Sequence, residues 1–359
     1  MTHSPKIRTS NSEGKLSKEE FLQRYQQLFS DPWFEPHQEQ INVFSEIAWK
    51  ANQEGRKAPR TQKAGQGYDD PSYDLSLEWV KTKKQMDEAQ KIHDDQKAKR
   101  QILLIHASHR NDHTCPGEIS KSSRLFDIAR QTLSSLGAEV QTLELDQLSS
   151  EYGKKIHPCK ACVSTAMPLC HWPCSCYPNH SLGQVQDWMN DIYPMWVKCH
   201  GVMIITPVYW HQSPSALKLM MDRLVCADGG NPDPTSTQGK KPDLAKKMEL
   251  DGWNYPRHLK GRCFSVIVHG DAAGVDDAKG VLCDWLEEME FIATGNFGNI
   301  GRYIGYYEPY ATSHEALDKD ESIQKETENA ARALMLSVQA EQKQKLQSII
   351  PDLEDPRPK

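Results

Sequence analysis

The stretch "GVMIITPVYW", residues 201–210, contains the pattern that decides the fold. An apolar run of this length predicts a strand that is buried in a sheet. Pro207 restricts the backbone at the point where the run ends. The residues after it, Val208, Tyr209 and Trp210, offer apolar and aromatic surfaces on which a flat ring can lie. The stretch therefore predicts a central strand whose carboxyl end leads into a binding loop.

Four other runs of strand length lie before and after this one. They are "QILLIHA" (101–107), "AEVQTLEL" (138–145), "RCFSVIVHG" (262–270) and "TGNFGNIGRYIG" (294–305). Stretches of helical composition separate the runs, and this alternation predicts an α/β fold with a parallel sheet and helices on both faces. Because such sheets bind ligands at the carboxyl ends of their strands, we expect function in the loops after the first, third and fourth strands.

The composition limits the kind of protein and its partners. With 359 residues, of which 38% are hydrophobic, the chain is long enough for one large domain or two ordinary ones. A net charge of -6, with lysines spread among acidic residues, predicts no nucleic-acid partner. No apolar run approaches the roughly 20 residues of a membrane-spanning helix, so no membrane partner is expected. The amino terminus lacks the apolar stretch of a secretory signal, which favours a cytoplasmic location but leaves a transit peptide open.

The chain changes in character near residue 100. Residues 1–100 contain stretches of helical composition separated by a polar segment, which predicts a helical or irregular N-terminal extension. The alternating strands and helices occupy residues 101–348, and residues 349–359 are predicted to form a polar tail.

The loop after the first strand, "HASHRNDHTCPGEISKSS" (106–123), has the composition of an anion site. Ser108, Ser122 and Ser123 supply hydroxyl groups near a helix amino terminus, where backbone N–H groups point outward. Arg110 adds a positive charge, so the loop fits a phosphate. The alternative is an ordinary polar loop with helix-capping residues. The sequence has neither an NTPase phosphate loop nor the usual glycine-rich dinucleotide motif.

The loop after the fourth strand is "HGDAAGVDD", residues 269–277. Gly270 and Gly274 lack side chains, so the backbone can approach a bound ring or a ribityl chain closely. This loop is expected to form another wall of the same site.

Four motifs together resemble those of a known family. In order along the chain they are "ILLIHASHR" (102–110), "TPVYW" (206–210), "SALKLMMDR" (215–223) and "VIVHGDAAG" (266–274). They resemble the NADPH-dependent FMN reductase family of flavodoxin-like folds. The resemblance implies a doubly wound five-stranded parallel sheet of order 2-1-3-4-5, bound FMN, NADPH as cosubstrate, and a homodimer or homotetramer.

The resemblance also implies a role for each loop. The flavin phosphate would contact Ser108, Arg110, Ser122 and Ser123. The ring and ribityl chain would lie against Thr206, Pro207, Val208, Tyr209 and Trp210, and the third side would be closed by His269, Gly270, Asp271 and Gly274. No catalytic side chain is expected beyond the flavin, because in such enzymes the cofactor performs the chemistry.

Five of the ten cysteines lie in "HPCKACVSTAMPLCHWPCSCYP", residues 157–178. In a reducing compartment, clustered cysteines are more often metal ligands or redox groups than structural disulfides. The stretch resembles the cysteine cluster of the iron-sulfur flavoprotein branch, which implies a 4Fe-4S cluster on four of Cys159, Cys162, Cys170, Cys174 and Cys176. The spacing differs from that branch and fits no zinc template well, so a zinc site and metal-free thiols remain open. Cys115, in the first loop, is a further candidate for a reactive thiol.

These observations lead to one main hypothesis of function. We expect an FMN-dependent oxidoreductase that takes hydride from NAD(P)H and passes electrons to a small-molecule or protein acceptor that the sequence does not identify. A basic insertion, residues 228–260, is a candidate lid for the nicotinamide phosphates or a solvated loop. The alternatives are a flavin or iron-sulfur electron carrier or redox sensor without a nicotinamide site, and a scaffold that has lost flavin.

Overall fold

The elements of the fold follow from the apolar runs and the caps that bound them. A computed structural model describes residue 7 and residues 16–114 and 117–342. In chain order its α-helices and strands are α1 (Lys18–Gln26), α2 (Gln38–Gln53), β1 (Thr61–Lys63), β2 (Asp74–Ser76), α3 (Leu77–Asp94), β3 (Gln101–His106), α4 (Lys121–Ser135), β4 (Glu139–Glu144), α5 (Gln147–Ser150), α6 (Met189–Lys198), β5 (Gly201–Pro207), α7 (Ser215–Arg223), α8 (Pro242–Leu250), β6 (Cys263–Gly270), α9 (Val275–Glu288), β7 (Ile292–Ala293), β8 (Asn299–Tyr303), α10 (Ser313–Lys319) and α11 (Glu321–Gln342).

The described residues divide into two compact units. The first, here called the cysteine unit, comprises the described residues up to Lys81 together with Lys160–Asp187 and Asn231–Trp253. The second, here called the sheet unit, comprises the rest. The predicted boundary near residue 100 stays a prediction, and the predicted tail, residues 349–359, lies outside the described residues.

The sheet unit is built on parallel strands. The order across the sheet is β4-β3-β5-β6, and β6 also pairs with β7 and β8. All these pairs are parallel, which confirms the predicted α/β fold class with a parallel sheet and flanking helices. In terms of the predicted order 2-1-3-4-5, the first four positions agree and two short strands share the fifth.

Helices cover the sheet because its central strands are apolar on both sides. Every residue of β3, β5 and β6 is buried, and successive residues of a strand point to opposite faces. On one face, Leu125 and Leu133 of α4 pack with Leu334 of α11 in a single core cluster. Helices α6 and α9 meet through Trp196 and Trp285, whose ring centroids are 5.8 Å apart.

The cysteine unit contains a helical pair and a short hairpin. Helix α1 begins at a capping box formed by Ser17 and Glu20, and it packs on α2 through Phe21 and Trp49, whose ring centroids are 5.3 Å apart. Strands β1 and β2 pair antiparallel. Among the described residues of the whole chain, no helix combines the length and the apolar character that crossing a bilayer requires.

Gly201 lets helix α11 approach the start of β5. A Cβ atom at this position would lie 2.9 Å from Val338 Cγ2, 3.0 Å from Leu334 Cδ1 and 3.1 Å from Ile102 Cδ1. Two of these neighbours belong to α11 and one to β3, so an added methyl group must displace packed side chains of the core.

We predict that Gly201→Ala lowers the free energy of unfolding by about 1–3 kcal/mol, the usual cost of overpacking a core. Gly280→Ala is the matched control, since it lies in α9 with nothing within 4 Å of an added Cβ. It should raise stability by at most about 1 kcal/mol. Urea unfolding monitored by circular dichroism compares the two variants, and equal stability of both would show that α11 does not pack this closely.

Candidate active site

A cleft of about 270 Å³ lies at the carboxyl ends of β3, β5 and β6 in the sheet unit. Because parallel strands end at the same edge of the sheet, the loops that follow them converge there. The residues that line the cleft are Ser108, Arg110, Glu118, Ser120, Lys121, Pro207, Val208, Tyr209, His269, Gly270, Asp271, Tyr310, Ser313 and His314.

One end of the cleft is the amino terminus of α4. Ser120 caps this helix by accepting a hydrogen bond from the Ser123 amide, at 3.2 Å. The first-turn N–H groups of a helix have no acceptor within the helix and carry partial positive charge. This end of the cleft is therefore suited to an anion.

The serine hydroxyls of the first turn point inward. Ser122 is fully buried, and its Oγ lies 2.7 Å from His269 Nε2. Ser123 Oγ lies 3.3 Å from His106 Nε2, which is also 3.1 Å from Ser120 Oγ. These hydroxyls position the helix against the ends of the strands, so what the first turn offers to the cleft is its backbone.

Two cations, each paired with a carboxylate, belong to this end of the cleft. Lys121, the first residue of α4, is buried and pairs with Asp271, and its Nζ lies 3.4 Å from the carbonyl oxygen of Ile304. The half-exposed Arg110 pairs with Glu118 at 3.2 Å. Both cations are held in place before any ligand binds.

His269 lies beside Lys121 and is uncharged at neutral pH. Burial, reinforced by the positive charge of Lys121, lowers the pKa of His269 to about 3. Its ring therefore adds no charge to the cleft, and it serves to hold the Ser122 hydroxyl.

A polar chain behind the cleft supports the helix cap. His106 Nδ1 lies 3.6 Å from Asp146 Oδ1, and its Nε2 contacts Ser120. Burial alone would raise the pKa of Asp146, but the neighbouring His106 ring and a hydrogen bond from Asn111 hold it below the ordinary value. The carboxylate thus fixes the imidazole that holds the Ser120 cap.

The opposite wall is a tight turn after β5. The backbones of Tyr209 and Gln212 exchange hydrogen bonds of 2.8 and 3.1 Å. Between them Trp210 and His211 have φ angles of 47° and 64°, in the left-handed region that non-glycine residues rarely adopt. Such strain costs about 1–3 kcal/mol per residue and collects at ligand sites. Trp210 is 97% exposed, so its indole is available for contact.

A glycine behind this turn keeps it close to the sheet. Gly274 has a φ of +83°, and a Cβ atom there would lie 2.7 Å from His211 Cα. Tyr209 in turn places its hydroxyl 3.3 Å from Ser108 Oγ, which links the loops after β5 and β3.

A family model described as NADPH-dependent FMN reductase matches residues 100–300. The chain belongs to the NADPH-dependent FMN reductase family. This confirms the family inferred from the four motifs and the prediction of an NAD(P)H-dependent oxidoreductase.

Three solved structures are similar to part of the chain. RosB with bound 8-demethyl-8-formylriboflavin-5'-phosphate has a TM-score of 0.42 and 11% identity, covering 69% of this chain and 84% of its own. An FMN-dependent NADH-azoreductase from Bacillus anthracis in complex with FMN has a TM-score of 0.35 and 14% identity, covering 66% and 99%. An NAD(P)H:quinone oxidoreductase from Methanothermobacter marburgensis has a TM-score of 0.34 and 13% identity, covering 68% and 94%. A comparison with curated proteins gave no match.

The cleft of this FMN reductase family member fits a flavin mononucleotide. FMN carries a dianionic phosphate at one end of a ribityl chain and a flat ring at the other. The cleft is lined by a helix amino terminus with Lys121 and Arg110, and also by Pro207 and Tyr209. Gly270 lines the cleft, and its lack of a side chain lets Val275 pack against it, since an added Cβ atom would lie 2.8 Å from Val275 Cγ2.

Eight of the predicted FMN-binding residues line the cleft and five do not. Those that line it are Ser108, Arg110, Pro207, Val208, Tyr209, His269, Gly270 and Asp271. Those that do not are Ser122, Ser123, Thr206, Trp210 and Gly274. Thr206 is buried and donates its hydroxyl hydrogen bond to the Pro207 carbonyl, so it shapes the end of β5 from beneath.

Sequence reasoning missed six lining residues. They are Glu118, Ser120, Lys121, Tyr310, Ser313 and His314. Lys121 carried a signal, since it is a basic residue at the start of the same helix as the predicted serines. The last three follow β8, whose carboxyl end lies at the same edge of the sheet as those of β3, β5 and β6.

The basic insertion, residues 228–260, does not form one segment in the structure. Its middle part, Asn231–Trp253, belongs to the cysteine unit. In the sheet unit, Arg257 pairs with Asp228 and Glu290, and Lys260 pairs with Glu290. A nicotinamide-binding role for these cations stays a prediction.

The predicted iron-sulfur cluster is not supported by the structure. Across residues 16–114 and 117–342, no group of three or more His, Cys, Asp or Glu side chains is placed to hold a metal ion. Four of the five candidate cysteines lie in the cysteine unit, and Cys159 is the last residue before it. A metal on four of these cysteines stays a prediction. Cys115 lies outside the described residues.

Two of the cysteines nevertheless lie side by side. The Sγ atoms of Cys162 and Cys176 are 3.5 Å apart, and Lys240 Nζ lies 3.6 Å from Cys162 Sγ. The hydrogen bond from Cys176 and the charge of Lys240 lower the pKa of Cys162 to about 6, against the opposing effect of burial. Cys162 is therefore largely a thiolate at neutral pH in metal-free protein.

We predict that iodoacetamide labels Cys162 in metal-free protein with a pH midpoint of about 6. Cys283 is the internal reference, because it is also half-buried but burial raises the pKa of its thiol, so its labelling should still increase above pH 8.5. Peptide mass spectrometry measures both rates in one sample.

The effect of Lys240 is tested with a neighbouring lysine as control. Lys240→Met should move the Cys162 midpoint upward, whereas Lys241→Met should not, since Lys241 is exposed and contacts Gln238. Identical pH profiles for Cys162 and Cys283 would contradict the assignment of Cys162 as a thiolate.

Proposed function

We propose that this chain is an FMN-dependent oxidoreductase that takes hydride from NAD(P)H and passes the electrons to an acceptor. The observation that carries the proposal is the cleft at the strand ends, which is lined by a cation-bearing helix terminus and by Pro207, Val208 and Tyr209 of the loop after β5. In a member of the NADPH-dependent FMN reductase family, this cleft is where the cofactor would bind.

The phosphate end would be formed by Arg110, Lys121 and the first-turn N–H groups of α4. Two fixed cations and several N–H donors match the charge and the oxygens of a phosphate. Ser108 would add a hydroxyl at the end of β3. Ser122 would contribute through its backbone N–H, because its hydroxyl already contacts His269, whereas the N–H of Ser123 already donates to Ser120.

The ring end would be formed by the loops after β5 and β6. Pro207, Val208 and Tyr209 supply a flat, largely apolar wall, and Gly270 allows the backbone to lie against a ring. The exposed indole of Trp210 would cover part of the ring, and Gly274 would hold the turn in place.

When bound, FMN supplies the hydride acceptor and passes electrons on singly or in pairs. The chain's own task is to bind the cofactor and to exclude competing reactions. His269 is neutral and occupied by Ser122, so it offers no proton to a substrate at neutral pH. This agrees with an enzyme that needs no acid-base side chain of its own.

The decisive experiment is anaerobic addition of NADPH to FMN-loaded protein. We predict that flavin absorbance is lost rapidly and returns when an electron acceptor such as oxygen is admitted. In an electron carrier or redox sensor, the flavin would stay oxidised in the presence of NADPH. Dithionite would still reduce it and remove its absorbance. Protein without bound flavin, even after incubation with FMN, would favour the scaffold alternative.

The phosphate assignment is tested by comparing FMN with riboflavin. We predict that Arg110→Ala weakens FMN about tenfold or more, because a charge-assisted hydrogen bond contributes about 1.5 kcal/mol or more. Riboflavin, which lacks the phosphate, should bind the variant as it binds the wild type. Arg124→Ala is the control, since Arg124 lies on the same helix, pairs with Asp318 and does not line the cleft. Equal weakening of both ligands would reject the phosphate role.

Two details of the proposal rest on the family resemblance alone. They are the preference for NADPH over NADH and the assembly into a homodimer or homotetramer. Both stay predictions.

A further inference from the structure

The cysteine unit contains a cavity of about 290 Å³ that the flavin chemistry does not use. Every residue lining it belongs to this unit. The cavity lies at the small end of ligand pockets, which span roughly 300–1,000 Å³. Its lining combines cations, aromatic rings and hydroxyls.

Two lysines give the cavity its charge. Lys57 Nζ donates to the carbonyl oxygen of Ser175, and Lys240 Nζ donates to that of Leu169 at 2.6 Å. Within the described part of the chain, neither ammonium group forms an ion pair with a carboxylate. The carboxylate that lines the cavity, Asp74, is engaged by Lys63 at 2.9 Å. The Cys162 thiolate, 3.6 Å from Lys240 Nζ, offsets one of the two lysine charges, so one positive charge is left that an anion would offset.

Aromatic rings form the walls. Trp79 and Tyr177 are buried with exposed fractions of 6% each, and the Trp79 indole donates to the Pro173 carbonyl at 2.9 Å. Since both rings are fixed by packing, they offer flat surfaces without further loss of side-chain entropy.

The remaining space is kept open by a glycine. Gly239 has a φ of +80°, and a Cβ atom there would lie 2.5 Å from the Tyr73 hydroxyl. In the described residues this hydroxyl has no hydrogen-bond partner, so it is an available donor at the cavity wall. His171, by contrast, is bonded to Ser175 and Thr237 and serves to hold the wall.

We propose that this cavity binds a small aromatic carboxylate, with the carboxylate group between Lys57 and Lys240 and the ring against Trp79 and Tyr177. Two ammonium donors match the two oxygens of a carboxylate, and the aromatic walls suit a single flat ring. The site is distinct from the cleft of the sheet unit and does not depend on the flavin assignment.

Calorimetric titration of FMN-saturated full-length protein with benzoate tests this site. Saturation with FMN prevents benzoate from occupying the flavin cleft. Benzoate should bind. Benzamide has the same shape without the charge, and its affinity should be lower by about tenfold or more. Inorganic phosphate should not displace benzoate.

Lysine variants test whether the ammonium groups of Lys57 and Lys240 bind the carboxylate of benzoate. Lys57→Gln and Lys240→Gln should each reduce benzoate affinity about tenfold or more, whereas Lys241→Gln should leave it unchanged. Arg110→Ala should also leave it unchanged, because Arg110 lines the other cavity. Circular dichroism confirms that each variant is folded, and two independent lysines keep the test valid if one variant is not.

The proposal is overturned by any of three results. These are the absence of benzoate binding, equal affinity for benzoate and benzamide, or benzoate affinity that is unchanged in both folded lysine variants. Displacement by phosphate would show an anion site that does not recognise a ring, and this too would overturn the aromatic assignment.

Discussion

Parallel pairing of β3 with β5 is the constraint from which the cleft follows. The register sets Ile102 opposite Gly201 and His106 opposite Ile205, so the two strands end together. The loops that carry Ser108 and Tyr209 then meet, and their hydroxyls are 3.3 Å apart. At the start of the same strand pair, α11 packs over β5, where Gly201 has no side chain.

The sequence predicted the parts of the fold that depend on local pattern. Apolar runs located the main strands, and the residues after them located most of the cleft. The inward rotation of Ser122 and Ser123 could not be predicted, because it depends on His269 and His106, which lie on other strands. The membership of residues 160–187 and 231–253 in the cysteine unit also lacks a local signal, since it arises from contacts between segments that are distant in the chain.

In the cysteine stretch, the spacing along the sequence does not predict where the cysteines lie in the structure. Five cysteines within a short segment favoured a four-ligand centre, but the described residues show no group placed to hold a metal, and Cys162 lies against Cys176. Lys240 has two roles, because it contacts the Cys162 sulfur and also lines the cavity of the cysteine unit. A single cation from a distant loop therefore influences both thiol chemistry and ligand charge, which cysteine spacing alone cannot reveal.

The turn at Trp210 and His211 has a consequence for how this protein can change over evolutionary time. Two bulky residues in left-handed conformation reduce the stability of the native state, and asparagine or glycine there would relieve that strain. Relief would come with the loss of an indole that is almost wholly exposed and contributes little to the core. Selection for stability alone would thus favour smaller residues, while selection for ligand contact would favour the present ones. The turn is a position where the two pressures oppose each other, and drift toward small residues would indicate that the ligand had been lost.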